Sequence, residues 1–294
     1  MRLFLTAVVT GTAIGCLYGL VALGYTVVFN ATRVFNLAQG MLVMSGVMIC
    51  YVTLDVFHWP QAAAFGGAVG TSIVLSLLEE RVVVRQFLRR EGEGIGWFIA
   101  TLAFSLVIET IIRNLYGDRA PAAVPSFLPV RSIAVGPISI APRLFFVIAS
   151  TAVIVVMLEI FYRRTWVGTA MRATAEDPEA ASLRGIEPTR ISSTAFMLGG
   201  VVAGIGAFAI APVAGSNISL GLTYSLAGFI ALAVGGFGSL RGAIAGGILL
   251  GIGNQLWDLY VDPRYELVAG LALLMLVLVV KPTGILGSRQ LRRV

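Results

Sequence analysis

The stretch "LFLTAVVTGTAIGCLYGLVALGYTVVF", residues 3–29, runs for 27 residues without one charged side chain. A helix needs about 20 apolar residues to cross a hydrocarbon core roughly 30 Å thick. The stretch is therefore read as a membrane span. Met1-Arg2 ahead of it resembles the start of a signal peptide. The apolar core of such a signal is about 7–15 residues, though, and the run is longer. No soluble mature domain follows, so an uncleaved first span is expected.

Outward from this run the pattern repeats. Further apolar runs lie at about 41–57, 61–79, 95–116, 143–162, 192–211, 222–237, 241–257 and 265–281. Several fall short of a full crossing and are expected to be tilted, broken or re-entrant. The fold class expected is an all-α membrane protein: a polytopic bundle of about eight or nine transmembrane helices forming a single transmembrane domain over 1–294. Composition agrees. The chain is 57% hydrophobic and 12% charged, with a mean hydropathy of +0.91. Soluble domains carry about 25% charged residues, so this surface suits lipid and not water.

The formal charge is +6, and Lys281 is the only lysine. The basic residues fall in short loops between apolar runs. That is the footprint of the positive-inside rule and not of nucleic-acid binding. The 79–93 loop carries Arg81, Arg85, Arg89 and Arg90; the 163–190 loop carries Arg163, Arg164, Arg172, Arg184 and Arg190; the tail carries Lys281, Arg289, Arg292 and Arg293. Loops 212–221 and 258–264 share one arginine, Arg264, and the Pro-rich loop 117–142 has Arg119 and Arg131. The alternation places 79–93, 163–190 and the C-terminus in the cytoplasm and 117–142 outside. The side of the N-terminus stays open. A simple turn at 30–40 puts it outside, and a re-entrant break there puts it inside.

Glycines spaced by four recur: Gly11, Gly15 and Gly19, then Gly66 and Gly70, Gly200 and Gly204, Gly242 and Gly246, Gly247 and Gly251. Such spacing puts small residues on one helix face and lets backbones approach closely. Two glycine-rich stretches, "NLAQGMLVMSGVMI" at 36–49 and "GSLRGAIAGGILLG" at 238–251, are weakly alike and hint at an internal duplication of the kind transporters carry.

Chemistry-bearing clusters are few. Cys16 and Cys50 sit inside apolar runs as small hydrophobes. With His58 the only histidine, neither a zinc site nor a Ser/His/Asp triad has its parts. Glu109 and Arg113 lie four apart in "FSLVIETIIRN" and are expected to pair on one helix face. Asp55, Asp258, Asp262, Glu159 and Glu266 fall near run ends and are read as interfacial. "GGFGSL" at 235–240 lacks the strand–turn–helix context of a dinucleotide loop and is read as a turn between spans. A P-loop needs Gly-Lys-Ser/Thr, but Lys281 is followed by Pro282. The chain therefore lacks that ATP site.

Two segments stand out. In "NATRVFNLAQG", 30–40, the amides Asn30, Asn36 and Gln39 must be satisfied by backbone, water or a solute. Either they cap a helix start at Met41, or a helix broken at Asn36–Gly40 lines a path, and the two are compatible. In "RRTWVGTAMRATAEDPEAASLRGIEPTRI", 163–191, Glu176-Asp177-Pro178-Glu179 starts a short helix. Ala180, Ala181 and Leu183 give it an apolar side, and Gly185 ends it. Such a helix lies on the membrane or meets a partner.

Three motifs carry a family resemblance: "ALGYTVVFNATRVFNLAQGMLVMSG", "GTAMRATAEDPEAASLRGI" and "ALAVGGFGSLRGAIAGGILLGI", near residues 22, 168 and 231. They resemble the permease family of branched-chain amino acid ABC importers, in its shorter permease type. The resemblance implies that 163–191 is the cytoplasmic coupling loop, docking into an ATPase through Ala175, Glu176, Asp177, Ala181, Leu183 and Gly185. Beside the resemblance, the amide-rich break read above is the expected translocation path, lined by Asn30, Asn36, Gln39 and Gly40. The resemblance also implies partners: a second permease, of the longer type in a heterodimer or a second copy in a homodimer, two cytoplasmic ATPases that bind the ATP and Mg, and an extracytoplasmic solute-binding protein. No cofactor is expected in this chain, and the location implied is the inner membrane. The family more often reads Ile-Asn-Phe-Ala-His-Gly where this chain has Phe35-Asn36-Leu37-Ala38-Gln39-Gly40. Gln39 keeps a hydrogen-bonding group and removes a titratable one, so the solute stays open among branched-chain amino acids, urea, amides and small carboxylates. The alternative from another class is a stand-alone secondary transporter or channel, with Glu109 its best coupling group.

Overall fold

The computed structural model describes residues 2–86, 96–116, 124–125, 133–135 and 138–287. The loop arginines Arg89, Arg90, Arg119 and Arg131 and the tail arginines Arg289, Arg292 and Arg293 lie outside the described residues. Each of the nine apolar runs forms a helix. In chain order these are α1 (Arg2–Thr32), α2 (Gln39–Tyr51), α3 (Gln61–Glu79), α4 (Gly96–Tyr116), α5 (Pro142–Arg164), α8 (Pro188–Ala214), α9 (Leu220–Gly235), α10 (Leu240–Tyr260) and α11 (Glu266–Val280). Between α5 and α8 lie two short helices, α6 (Trp166–Glu176) and α7 (Pro178–Leu183). A two-stranded antiparallel hairpin, β1 (Ile133–Val135) and β2 (Ile138–Ile140), precedes α5.

Seven segments are long and apolar enough to cross a membrane, and α9 with α10, bent by 116° at their junction, pass the same test as a pair. The described chain is thus a helical bundle of seven or eight candidate spans. The turn at 235–240 is the α9–α10 junction, with Gly236 and Gly238 at positive φ. The segment after α11 seals that junction: Ile285 N donates to Val234 O at 2.9 Å and Leu286 N to Gly235 O at 2.8 Å. These bonds satisfy carbonyls that α9 leaves open at its end.

Lipid tails are as apolar as leucine, so helices in a membrane associate through close packing. The glycine faces supply it. A Cβ built on Gly15 would lie 2.6 Å from Gly247 O and 2.6 Å from Ile248 Cα, and one on Gly251 2.4 Å from Gly11 O. α1 and α10 therefore meet backbone on backbone. Gly200 and Gly204 bring α8 equally close to Ser72, Ile73 and Val69 of α3. The Gly66 and Gly70 pair differs: a Cβ on either meets nothing within 4 Å. Its spacing matches the others, but it faces outward.

Residues Leu17 to Val28 of α1 sit at the centre of the bundle with little or no exposure. α1 starts beside Gly251 and ends beside α6 and the α9–α10 junction, where Asn30 donates to Gly238 O at 3.1 Å. Its first residues therefore lie at the end of the bundle opposite α6 and α7.

One boundary is corrected. The reading of 79–93 as a loop fails at its start, because helix continues from α3 through a π turn (Glu80–Val84) to Gln86. Glu79 and Glu80 are fully buried there. Glu80 is held by Arg85 at 3.4 Å and by Ser193, whose hydroxyl donates at 3.1 Å. In sequence these acids resemble part of a solvated loop, because Arg81 and Arg85 follow them.

Candidate functional site

The 163–191 segment folds as two capped helices. Thr165 leaves the helical region and its Oγ1 accepts from Gly168 N at 3.0 Å, a side-chain cap that starts α6. Gly168 then packs on α5, where a Cβ would lie 2.7 Å from both Phe161 O and Tyr162 Cα. Gly168, Ala170, Met171 and Thr174 form the buried face of α6. Asp177 caps α7, its carboxylate accepting from Ala180 N at 2.9 Å.

α7 ends in a Schellman turn. Gly185, at φ 80°, donates to Ser182 O at 2.9 Å, and Ile186 N donates to Ala181 O at 3.1 Å. The sequence-expected helix start and the Gly185 stop therefore both appear. Ala181 is the buried anchor of α7 at 4% exposure, whereas Leu183 is 89% exposed. Glu176, Asp177 and Gly185 are exposed with it. Leu183 is thus held outward by a doubly capped turn among exposed acids.

Arg33 ties this segment to the other candidate region. It sits at φ 58°, a strained position for a non-glycine residue. Its Nε donates to Ala175 O at 3.0 Å, and its guanidinium lies 5.4 Å over the Phe29 ring. Phe29 stacks on Phe35, which also meets Trp97, Phe229 and Phe237. The sequence alone gives no sign of this role for Arg33, because only the left-handed turn after α1 aims it at the 163–191 segment.

Beyond Arg33 the chain folds back into the bundle. Gln39 opens α2 against Gly24 and Gly199, and Gly40 lies against Gly221 and Ser225. Gly199 is eleven residues into α8, so at 1.5 Å per residue this start lies ~16 Å in from that helix's end. Irregular backbone at such depth survives only where protein satisfies it. Here Asn36 Oδ1 accepts from Ala38 N at 2.9 Å, Gly40 N donates to Ser225 Oγ at 3.1 Å, and Gln39 Nε2 donates to Gly199 O at 3.0 Å. The helix starts two residues before Met41 and has no side-chain cap of its own.

Asn36, Gln39 and Gly40 are all buried within the chain. Asn30 is set apart from them and lines an open cavity of about 290 Å³ with Glu159, Arg163, Arg172 and Arg241. Polar atoms are left over at the fold-back. Asn36 Nδ2, Gln39 Oε1, Ser192 Oγ and both carboxylate oxygens of Glu79 are buried without a hydrogen-bond partner. Glu79 was missed by the sequence reading, yet a signal existed: Ala64, Ala68, Ser72, Ser76 and Glu79 follow helical spacing and form the buried face of α3.

The remaining charges mostly join helices. Glu109 pairs with Arg113 as expected. Glu266 is more than interfacial: it accepts from Tyr18 at 3.0 Å and from Asn254 at 2.9 Å, joining α1, α10 and α11. Among the described residues no group of three metal-ligating side chains converges.

Residues 7–280 match the family model described as "Branched-chain amino acid transport system / permease component". The chain is 30% identical to LivH, the high-affinity branched-chain amino acid transport system permease protein of Escherichia coli K12, covering 99% of this chain and 98% of that one. It is 28% identical to BraD, the corresponding permease protein of Pseudomonas aeruginosa, over 99% and 98%. A probable branched-chain amino acid transport permease protein of Methanocaldococcus jannaschii is 27% identical over 91% and 88%. Among solved structures, PsaBC from Streptococcus pneumoniae in complex with Fab matches in fold, with a TM-score of 0.53 at 12% identity over 96% of this chain and 93% of that one.

Proposed function

Because the chain belongs to the family of permease components of branched-chain amino acid transport systems, we propose that it is the membrane subunit of an ATP-binding cassette importer for branched-chain amino acids or similar small polar solutes. It works as one permease domain over 1–294 in the cell inner membrane. An extracytoplasmic binding protein delivers the solute, and two cytoplasmic ATPases bind the ATP and Mg. A second permease of the longer type completes the path as a heterodimer.

The observation that carries this reading is the 163–191 segment: Leu183 stands 89% exposed while Ala181 beside it is buried. Glu176, Asp177, Leu183 and Gly185 form the exposed dock for an ATPase, with Ala175 and the buried Ala181 holding it from beneath. Motion there has two ways into the bundle, the α6 face packed on α5 and the Arg33 bond from Ala175 to the end of α1. The end carrying α6, α7 and residues 281–287 faces the cytoplasm, so the N-terminus lies outside. Asn36, Gln39 and Gly40 belong to the moving path, with the α2 start at mid-depth as the element that opens by alternating access.

Co-purification tests the dock. The double variant E176K/D177K, and separately L183D, should fold and lose the ATPases. Unchanged co-purification of both would count against the assignment.

A further inference from the structure

We propose that the cavity between α5, α6 and the start of α10 is a binding site for the headgroup of an anionic phospholipid. It is lined by Asn30, Glu159, Arg163, Arg172, Ser239 and Arg241, among others, and has a volume of about 290 Å³. Three arginines from two distant parts of the chain face one carboxylate, which leaves two positive charges in the cavity. Glu159 is shared, at 2.8 Å from Arg163 and 2.7 Å from Arg241. Arg172 donates to the Tyr162 carbonyl. A guanidinium carries five donors, more than these acceptors consume, so donors remain for an anion.

Two further features name the ligand. The cavity sits at the N-terminus of the 21-residue α10, whose dipole favours a negative group. It also lies at the foot of an apolar track. Val153, Val156 and Ile160 are 52–57% exposed and fall on the helix face that ends in Arg163. Trp166, 73% exposed, stands just beyond, as aromatic residues do at a membrane interface. A free phosphate would use the charges and ignore the track, whereas a phospholipid uses both. Basic pockets between helices on the cytoplasmic side suit such headgroups. Assigning the lipid to the cytoplasmic leaflet rests on the placement of the 163–191 segment proposed above; the binding itself does not.

The test is native mass spectrometry of the full-length chain in detergent, with phosphatidylglycerol and phosphatidylcholine in competition and inorganic phosphate in a separate arm. A basic residue near an anionic membrane surface contributes about fivefold in binding. The two surplus charges therefore predict a preference of roughly twenty- to thirtyfold for phosphatidylglycerol. R163Q/R241Q should abolish that preference, R163K/R241K should keep most of it, and E159Q should raise it about fivefold. E159Q and the lysine variant keep the proposal testable if the glutamine variant folds poorly. Equal binding of the two lipids by the unaltered chain would overturn the site. So would an undiminished preference in R163Q/R241Q, or full displacement of the lipid by millimolar inorganic phosphate. The readout needs no transport, so a failed importer reading would leave it unchanged.

Discussion

Gly15→Val tests the seam that organises the bundle. Even the first added carbon would sit 2.6 Å from Gly247 O and from Ile248 Cα, where carbon atoms normally rest about 3.5–4.0 Å apart. Both neighbours are backbone, so no side chain can swing aside, and α1 must move from α10 by about 1 Å. Overpacking of this kind costs about 1–3 kcal/mol, and valine with two further methyls belongs at the upper end. Replacing glycine in a helix returns only ~0.3 kcal/mol. The net loss is about 2–3 kcal/mol. At roughly 2–4 °C per kcal/mol for a chain of this size, the unfolding midpoint should fall by about 5–10 °C. Cys50 is fully buried, so its reaction with a thiol-specific dye on heating reports the midpoint. Gly66→Val is the control, since a side chain there meets open space, and its midpoint should stay within about 2 °C of the unaltered chain. A Gly15→Val protein that melts with the unaltered one, or a Gly66→Val shift of equal size, would refute the backbone-on-backbone seam.

Three other expectations follow from single residues. Gly185→Val forces a branched side chain to φ 80°, a conformation costing about 1–2 kcal/mol; trypsin should cut after Arg184 at least fivefold faster, and an unchanged rate would mean that the turn is not held there. Glu79→Met removes a fully buried carboxylate whose polar neighbour is the Asn36 side chain and should leave stability equal or higher by about 1–3 kcal/mol; a drop in the dye-monitored midpoint would show that the Asn36 contact outweighs the cost of burial. Arg33→Gln cuts the bond to Ala175 O, worth about 1 kcal/mol at an exposed position; the ATPases should still bind while uptake per ATP falls about fivefold, and unaltered coupling would discard the link.

The apolar runs foretold every long helix because a 20-residue run without charge has few alternatives in a bilayer. Helix ends were less legible. Glu79 and Glu80 read as a loop because their burial depends on the facing surface of α8, which lies more than a hundred residues away. Gly66 and Gly70 share the spacing of the packed glycines, but spacing cannot say which face meets a neighbour. In the 163–191 segment the caps were legible, since Asp177 and Gly185 act through bonds to residues close by in the chain. The fold-back at Asn36–Gly40 was legible only as an anomaly, three amides in an apolar setting. Its partners Gly199, Gly221 and Ser225 come from distant helices, and so does the use that Arg33 makes of Ala175.

Uptake into proteoliposomes tests the central claim most directly. The chain is reconstituted alone, and then with the proposed second permease, ATPases and binding protein, and radiolabelled leucine or a similar small solute is followed with and without ATP. Uptake is expected only in the complete assembly with ATP, and none by the chain alone. Uptake by the chain alone, indifferent to ATP, would contradict that expectation and establish a stand-alone transporter or channel.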